Sequence, residues 1–216
     1  MSDAPALRFD GPEAAALRLV LTHGAGAPVD DAFLEAITRD LSARGARVAR
    51  FEFPYMAARR LGLEGTKSGL PKRRPPDRQP VLLDTWRAAV AALGGGAGLV
   101  IGGKSMGGRM ASLVADEVGA RGLVCLGYPF HPPGKPDRLR TAHLESLRTP
   151  TLIVQGERDA FGGREEVAGY ELSPAIRLHW IADGDHSFAP RKGSGRTRAH
   201  NLAEAAEAVA TFALGL

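Results

Sequence analysis

The sequence predicts an α/β fold in which helices flank both faces of a mainly parallel β-sheet. Short apolar runs typical of buried strands alternate along the chain with amphipathic helical patterns, and most of these runs stop at a glycine or a proline. The chain has 216 residues, of which 44% are hydrophobic and 24% charged, so one domain with a sizeable core is expected. Because neither a repeat nor an internal linker is visible, we predict a single domain over residues 1–216.

The first half of the chain predicts two strands and two helices around a long irregular segment. Strands are expected over 17–22 and 48–53. Helices are expected over 30–43, where the apolar residues recur at helical spacing, and over 81–93, which three glycines follow. Residues 57–80 are rich in glycine, proline and arginine and lack a clear period. A segment of this length is too long for a plain connector, so we predict a lid or an active-site loop.

The second half continues the alternation and supplies the remaining strands. A strand around 98–101 runs into a glycine-rich turn and then into a helical pattern over 109–115. Further strands are expected over 122–127, 151–155 and 176–181, and an alanine-rich amphipathic helix over 200–214 closes the chain.

Positive charge is concentrated in one segment. Residues 59–78 hold seven basic side chains against two acidic ones, although the net charge of the whole chain is only +4. Three interpretations remain open for this segment: a solvated loop, a site for an anionic substrate, and a nucleic-acid surface. We do not expect nucleic acid as a partner, because no aromatic side chain is interleaved with the basic residues to stack on bases.

Several other classes of protein do not fit the composition. No apolar stretch is long enough to span a bilayer, and the N-terminus lacks the basic and apolar segments of a signal peptide, so we expect no membrane partner and a cytoplasmic location. Cys125 is the only cysteine and lies in an apolar run, which indicates a small buried side chain. No Cys/His cluster has zinc-like spacing, so we expect neither a metal nor a cofactor. The oligomeric state is not predicted.

The glycine-rich turn after the 98–101 strand contains the pattern G-x-S-x-G, formed by Gly103, Ser105 and Gly107. The same pattern arises by chance in glycine-rich chains. Here, however, an apolar strand precedes it and a helix follows it, and this is the setting that a nucleophile elbow requires. We therefore predict that Ser105 is a nucleophile exposed at the end of a strand.

A serine nucleophile needs a base and an acid, which in this architecture follow it in the order acid, then histidine. Asp159 comes just after the 151–155 strand and is the candidate acid, with Glu157 as a weaker alternative. His186 follows the last strand and is the candidate base. Asp159 could instead cap the next helix or pair with Arg158.

An oxyanion hole needs two backbone N–H donors. The amide of Met106, the residue after the nucleophile, is one candidate. The other is Ala25, in the loop His23-Gly24-Ala25-Gly26 after the first strand. For His23 itself the favoured interpretation is structural, as a side chain that hydrogen-bonds to neighbouring loops.

Together these motifs make the chain resemble the α/β-hydrolase superfamily. The resemblance rests on the loop beginning at His23, on residues 103–109, on Gly156-Glu157-Arg158-Asp159 and on residues 184–188. The small size and the element order are similar to its dienelactone-hydrolase-like branch. Residues 53–55 and 128–136 resemble a small group of predicted hydrolases, whose eukaryotic relatives include a subunit of a chromatin-modifying (non-specific lethal) complex. Dienelactone hydrolases have a cysteine nucleophile where this chain has a serine, so their substrate is not carried over.

The resemblance implies a single-domain α/β-hydrolase fold with a minimal cap or none. We expect a serine hydrolase that acts on a small ester, thioester or related acyl substrate without a cofactor. Both a neutral and an anionic substrate are compatible with this expectation. Two residues of the stiff 128–136 loop, His131 and Lys135, are candidate substrate contacts. The alternative is an interaction module that keeps the hydrolase fold with little or no activity.

Overall fold

The computed structural model describes residues 4–62 and 75–216. In this part of the chain seven strands form one sheet: β1 (Leu7–Asp10), β2 (Arg18–Thr22), β3 (Arg47–Phe51), β4 (Val100–Lys104), β5 (Gly122–Leu126), β6 (Thr151–Gly156) and β7 (Ile176–Ile181). Their order across the sheet is β1-β3-β2-β4-β5-β6-β7. Every neighbouring pair is parallel except β1 with β3. The predicted α/β class with a mainly parallel sheet is therefore confirmed.

Six helices accompany these strands in the described residues: α1 (Ala32–Ala43), α2 (Pro54–Arg60), α3 (Gln79–Ala92), α4 (Met106–Ser112), α5 (Arg164–Val167) and α6 (Arg198–Leu214). Side-chain caps define where two of them begin. The carboxylate of Asp31 accepts the N–H of Leu34 at the start of α1, and the hydroxyl of Thr197 accepts the N–H of His200 at the start of α6. Each cap satisfies a backbone donor that has no partner inside the helix.

Two apolar layers hold the helices against opposite faces of the sheet. On one face α1 and α6 cover a core that includes Leu21, Val124 and Val154. On the other face α3 and α4 cover a core that includes Ile101 and Cys125. Alternate residues of a strand face opposite sides of the sheet, so the central strands are mostly apolar, as expected of a parallel sheet buried on both sides. Cys125 is fully buried as predicted, and burial raises the pKa of its thiol.

Three elements were not predicted, and each has a local reason. β1 is an antiparallel edge strand of four residues whose side chains are only partly buried, so it has no strong apolar pattern. α2 begins at Pro54, where the sequence indicated only the end of a strand; a proline at the first helical position is also a good helix start. The four-residue α5 is too short for a helical period.

The predicted lid or active-site loop over 57–80 is only partly described. Its first residues, to Arg60, are helical as the end of α2, and its last two begin α3, so the loop prediction was wrong at both ends. Residues 63–74, which carry four of the seven basic side chains, lie outside the described residues. In the described ranges, no helix has the length and apolarity needed to cross a membrane.

Candidate active site

Four loops converge at one edge of the sheet because β2, β4, β6 and β7 run parallel and end there. These loops carry the segment that starts at His23, the nucleophile candidate Ser105, the acid candidate Asp159 and the base candidate His186. Residues far apart in the chain therefore become neighbours through strand order.

Ser105 occupies a strained turn between β4 and α4. Its backbone has φ 51° and ψ −115°, a conformation that favours glycine over residues with a Cβ atom. The flanking glycines allow a close approach to β2. A Cβ atom on Gly103 would lie 2.3 Å from the carbonyl oxygen of Thr22, and one on Gly107 would lie 2.6 Å from that of His23. The two glycines of the G-x-S-x-G pattern are therefore required by packing.

A chain of two hydrogen bonds joins the three candidate residues. Nε2 of His186 lies 2.9 Å from Oγ of Ser105, and Nδ1 of the same ring lies 2.8 Å from Oδ2 of Asp159. With Nδ1–H donating to the carboxylate, the lone pair of Nε2 is left to accept the serine proton. The Asp159 side chain is fully buried, whereas that of His186 is 23% exposed. A buried carboxylate of this kind holds the ring in one orientation and tautomer.

The Asp159 carboxylate is also held by two groups of its own neighbourhood. Its Oδ1 accepts the backbone N–H of Phe161 over 2.9 Å. Its Oδ2 accepts a hydrogen bond from Nε2 of Gln155 over 3.0 Å. The weaker candidate Glu157 instead pairs with Arg164 and accepts the backbone N–H of Asp183. The structure thus brings Asp159, and not Glu157, to the histidine.

The loop that carries His186 is fixed from three sides. Oδ1 of Asp185 accepts the N–H groups of Ser187 and Ala189, and these two hydrogen bonds shape the loop. The Phe161 ring lies 4.2 Å from the imidazole, centroid to centroid. In addition, Nζ of Lys104 donates a hydrogen bond to the backbone carbonyl of His186.

Lys104, the residue before the nucleophile, is itself unusual because it is buried. Among the described residues no carboxylate forms an ion pair with it; its Nζ lies 5.0 Å from the ring centroid of Phe33 and 5.7 Å from that of Phe188. Burial lowers the pKa of this amine to about 8. Lys104 therefore connects the turn of Ser105 with the loop of His186. Its backbone is the last residue of β4, directly before Ser105, and its amine donates to the His186 carbonyl.

Near Ser105, the backbone N–H groups of Met106 and Ala25 donate no hydrogen bond to any described residue. Met106 is the first residue of α4, where a backbone N–H has no intrahelical partner. The loop of Ala25 is held rigidly, because the hydroxyl of Tyr55 donates to the Ala25 carbonyl over 3.0 Å. Both residues line the cavity beside Ser105.

His23 supports the same loop from the interior. Its ring is fully buried, and Nδ1 lies 2.7 Å from the carbonyl oxygen of Gly24 while Nε2 accepts the N–H of Phe53 over 3.1 Å. These contacts fix the neutral tautomer with the proton on Nδ1, and burial lowers the pKa of the ring. The expected structural role of His23 is therefore confirmed.

A cavity of about 420 Å³ opens beside Ser105. Its described lining combines apolar side chains with a few charged ones, and includes Leu82, Met106, Met110, Pro129, Phe161, Asp77, Arg109 and Arg140. The two candidate substrate contacts of the 128–136 loop do not line it. His131 is buried and contacts the Pro132 carbonyl and the Glu166 carboxylate, and Lys135 is exposed.

Across residues 4–62 and 75–216, no group of three or more histidine, cysteine, aspartate or glutamate side chains could hold a metal ion.

A family model described as "Alpha/beta hydrolase domain" matches residues 15–214, nearly the whole chain. This chain belongs to the alpha/beta-hydrolase family. The match supports a hydrolase and agrees with the superfamily that the motifs suggested.

Solved structures with low sequence identity share the fold of this hydrolase. A dienelactone hydrolase from Anabaena variabilis has a TM-score of 0.68 at 19% identity, with 97% of this chain and 90% of that chain covered. An alpha-beta serine hydrolase homologue from Coxiella burnetii has a TM-score of 0.67 at 15% identity, with coverages of 95% and 89%. A serine hydrolase from Xanthomonas campestris, described as lacking a lid, has a TM-score of 0.64 at 18% identity, with coverages of 94% and 88%.

Several residues around the site were missed at the level of sequence. Gln155 lies inside a strand and has no motif. Tyr55 was noted only as part of the 53–55 motif, and Arg109 only as the end of the glycine-rich motif. Arg109 offered one usable signal, because a residue four positions after Ser105 on a helix lies on the same face. Arg140 offered none.

Proposed function

We propose that this hydrolase is a serine hydrolase that cleaves a small ester, thioester or related acyl bond through a covalent acyl-enzyme. In this proposal Ser105 is the nucleophile, His186 the general base and Asp159 the group that orients it. The amides of Met106 and Ala25 form the oxyanion hole.

The observation that carries the proposal is the pair of hydrogen bonds through His186, 2.9 Å to Ser105 and 2.8 Å to Asp159. An unassisted serine hydroxyl is a weak nucleophile near neutral pH, and a histidine accepting its proton activates it. The strained backbone of Ser105 supports the same role, since such strain persists where function requires it.

The reaction follows from these positions. Oγ of Ser105 attacks the carbonyl carbon while its proton moves to Nε2 of His186. The resulting oxyanion accepts hydrogen bonds from the two free amides, and its collapse breaks the bond to the alcohol or thiol, which takes the proton from His186. Water then attacks the acyl-enzyme with His186 again as base, and Ser105 regains its proton as the acid is released.

The test combines a fluorophosphonate probe with a panel of short-chain esters and thioesters. The native protein is expected to be labelled on Ser105, as located by peptide mass spectrometry, and to hydrolyse members of the panel. Ser105→Ala and His186→Gln should lower kcat/KM by at least about a thousandfold. His179→Gln is the matched control, because this half-exposed histidine pairs with Glu204 and does not line the cavity.

A folded native protein that neither reacts with the probe nor hydrolyses any member of the panel would overturn this proposal. That result would favour the alternative, an interaction module on a hydrolase fold. Hydrolysis that survives in Ser105→Ala would instead place the chemistry on other residues.

A further inference from the structure

Two arginines line the cavity beside the nucleophile. Arg109 lies on α4 one helical turn beyond Ser105, and its backbone N–H donates to the Ser105 carbonyl over 3.0 Å. Residues four apart share a helix face, so Arg109 is on the side of α4 that carries the serine. Arg140 reaches the cavity from the segment after β5. Two hydrogen bonds anchor its backbone: the Arg140 N–H donates to the Phe130 carbonyl, and the Arg140 carbonyl accepts the hydroxyl of Tyr128.

Neither guanidinium has a partner in the part of the chain that the structure describes. No hydrogen bond or ion pair is formed by the side chain of Arg109 or Arg140 there, and Nε of Arg109 is a buried donor with nothing to bind. Arg50 behaves differently: its buried guanidinium pairs with both Asp10 and Glu35. The Nε of Arg109 is a charged donor removed from water without a partner, which is costly, so an arginine of this kind in a cavity indicates a ligand that supplies the missing charge.

The charges around the two arginines do not compensate them. Asp77 is the one acidic side chain in the described lining, and its Oδ2 accepts the N–H of Tyr55 over 2.8 Å. Burial and the Arg109 charge lower the pKa of nearby His143 to about 4, so that ring is neutral near pH 7. Burial, with a smaller contribution from Arg109, also lowers the pKa of Arg140. Two cations against one carboxylate leave an excess of one positive charge, which suits a monoanion.

We propose that Arg109 and Arg140 form a receptor for a carboxylate on the substrate, so that this enzyme prefers acyl esters that carry a free carboxylate group. Guanidinium forks bind carboxylates through paired hydrogen bonds, which gives both affinity and orientation. The remaining lining includes Leu82, Met110, Pro129 and Phe161, which suit an apolar spacer between the reacting carbonyl and the carboxylate. This inference rests on the proposed serine hydrolase function.

The test compares esters that differ only in charge. p-Nitrophenyl hemiadipate and p-nitrophenyl hexanoate share a six-carbon acyl chain, and only the first carries a carboxylate. In the second pair, 4-carboxyphenyl hexanoate and its methyl ester, the leaving group either carries a free carboxylate or does not. The native protein is expected to have a kcat/KM at least about tenfold higher for the carboxylate member of one pair, and the pair that shows it tells which side of the substrate carries the charge.

Arg109→Gln and Arg140→Gln should each lower kcat/KM for that carboxylate ester by about 10- to 100-fold, and lower kcat/KM for p-nitrophenyl hexanoate far less. Arg138→Gln is the matched control, because this exposed arginine lies in the same segment as Arg140 and does not line the cavity. Arg109→Lys keeps the charge without the fork and replaces Arg109→Gln if that variant fails to fold; it is expected to lose part of the preference.

Ser105-dependent hydrolysis of the neutral esters with no preference for a carboxylate would overturn the receptor and leave the proposed function intact. A preference that survives in both Arg→Gln variants would also overturn it. If no ester is hydrolysed and the fluorophosphonate probe does not react, the proposed function and this inference fail together.

Discussion

Gln155 donates a hydrogen bond from Nε2 to Oδ2 of Asp159 over 3.0 Å, and this oxygen is the one that faces Nδ1 of His186. The glutamine amide is fully buried and also tied to the loop after β5: its Oε1 accepts the N–H of Tyr128 over 2.7 Å, and its Nε2 lies 3.1 Å from the Tyr128 carbonyl oxygen. Because one side chain connects the acid with two strand ends, the position of Asp159 depends on the sheet as well as on its own loop.

Replacing this glutamine should therefore disturb both catalysis and folding. Gln155→Met keeps the volume but removes the hydrogen bonds to Asp159 and Tyr128. We expect kcat to fall by about tenfold and the free energy of unfolding to fall by about 2 kcal/mol, since buried partners are left unsatisfied. Steady-state kinetics and urea unfolding measure the two effects. A kcat equal to that of the native protein would show that Gln155 does not position the acid.

The buried amine of Lys104 should make stability depend on pH. Its folded-state pKa is about 8, below the ordinary lysine pKa of 10.5, so between these pH values the unfolded chain binds more protons than the folded chain. The free energy of unfolding should then rise with pH across this window, by up to about 3 kcal/mol. Lys104→Met removes this contribution.

The measurement for Lys104 is the difference in unfolding free energy between the native protein and Lys104→Met at pH 7, 8.5 and 10. We expect the unfolding free energy of the native protein to rise relative to that of the variant as pH rises. The contributions of other titrating groups cancel in this difference. A difference that is constant across this range, or that moves the other way, would contradict a depressed amine pKa.

The hydroxyl of Tyr55 should matter for turnover because it holds the Ala25 carbonyl over 3.0 Å. In Tyr55→Phe the loop that carries the Ala25 amide loses this support, and we expect kcat to fall by about tenfold with little change in KM, as for an interaction used mainly in the transition state. Tyr170→Phe is the control, since its hydroxyl contacts Glu166 and it does not line the cavity. Equal kcat values in the two variants would argue against Ala25 as an oxyanion donor.

The strained backbone at the nucleophile should be visible as a cost to stability. Ser105→Ala and Ser105→Gly both remove the hydroxyl, but only glycine adopts φ 51° without a Cβ clash. We expect Ser105→Gly to be more stable than Ser105→Ala by about 1 kcal/mol. Thermal unfolding of the two inactive proteins tests this directly. A higher melting temperature for Ser105→Ala would show that the turn is not strained.

Much of the fold was accessible from local patterns because each pattern has its own physical cause. The Ile176–Ile181 strand was predicted with its observed bounds, since a proline-containing turn precedes it and a glycine-containing loop follows. Pro54 shows the limit: a proline ends a strand and also starts a helix, and neighbouring residues do not decide between the two. The edge strand Leu7–Asp10 was missed because it buries little apolar surface.

Some residues of the candidate site could likewise be predicted from the sequence, and others only from the tertiary structure. Spacing and order along the chain were enough to select Ser105, Asp159 and His186, because a nucleophile elbow and the residues that follow parallel strands leave local marks in a sequence. Which arginines share a cavity with the serine depended on strand order and loop packing. Arg140 is 35 residues beyond Ser105 in the chain yet lines the same cavity. Such contacts arise only when the sheet is assembled, since they join segments that no local pattern relates.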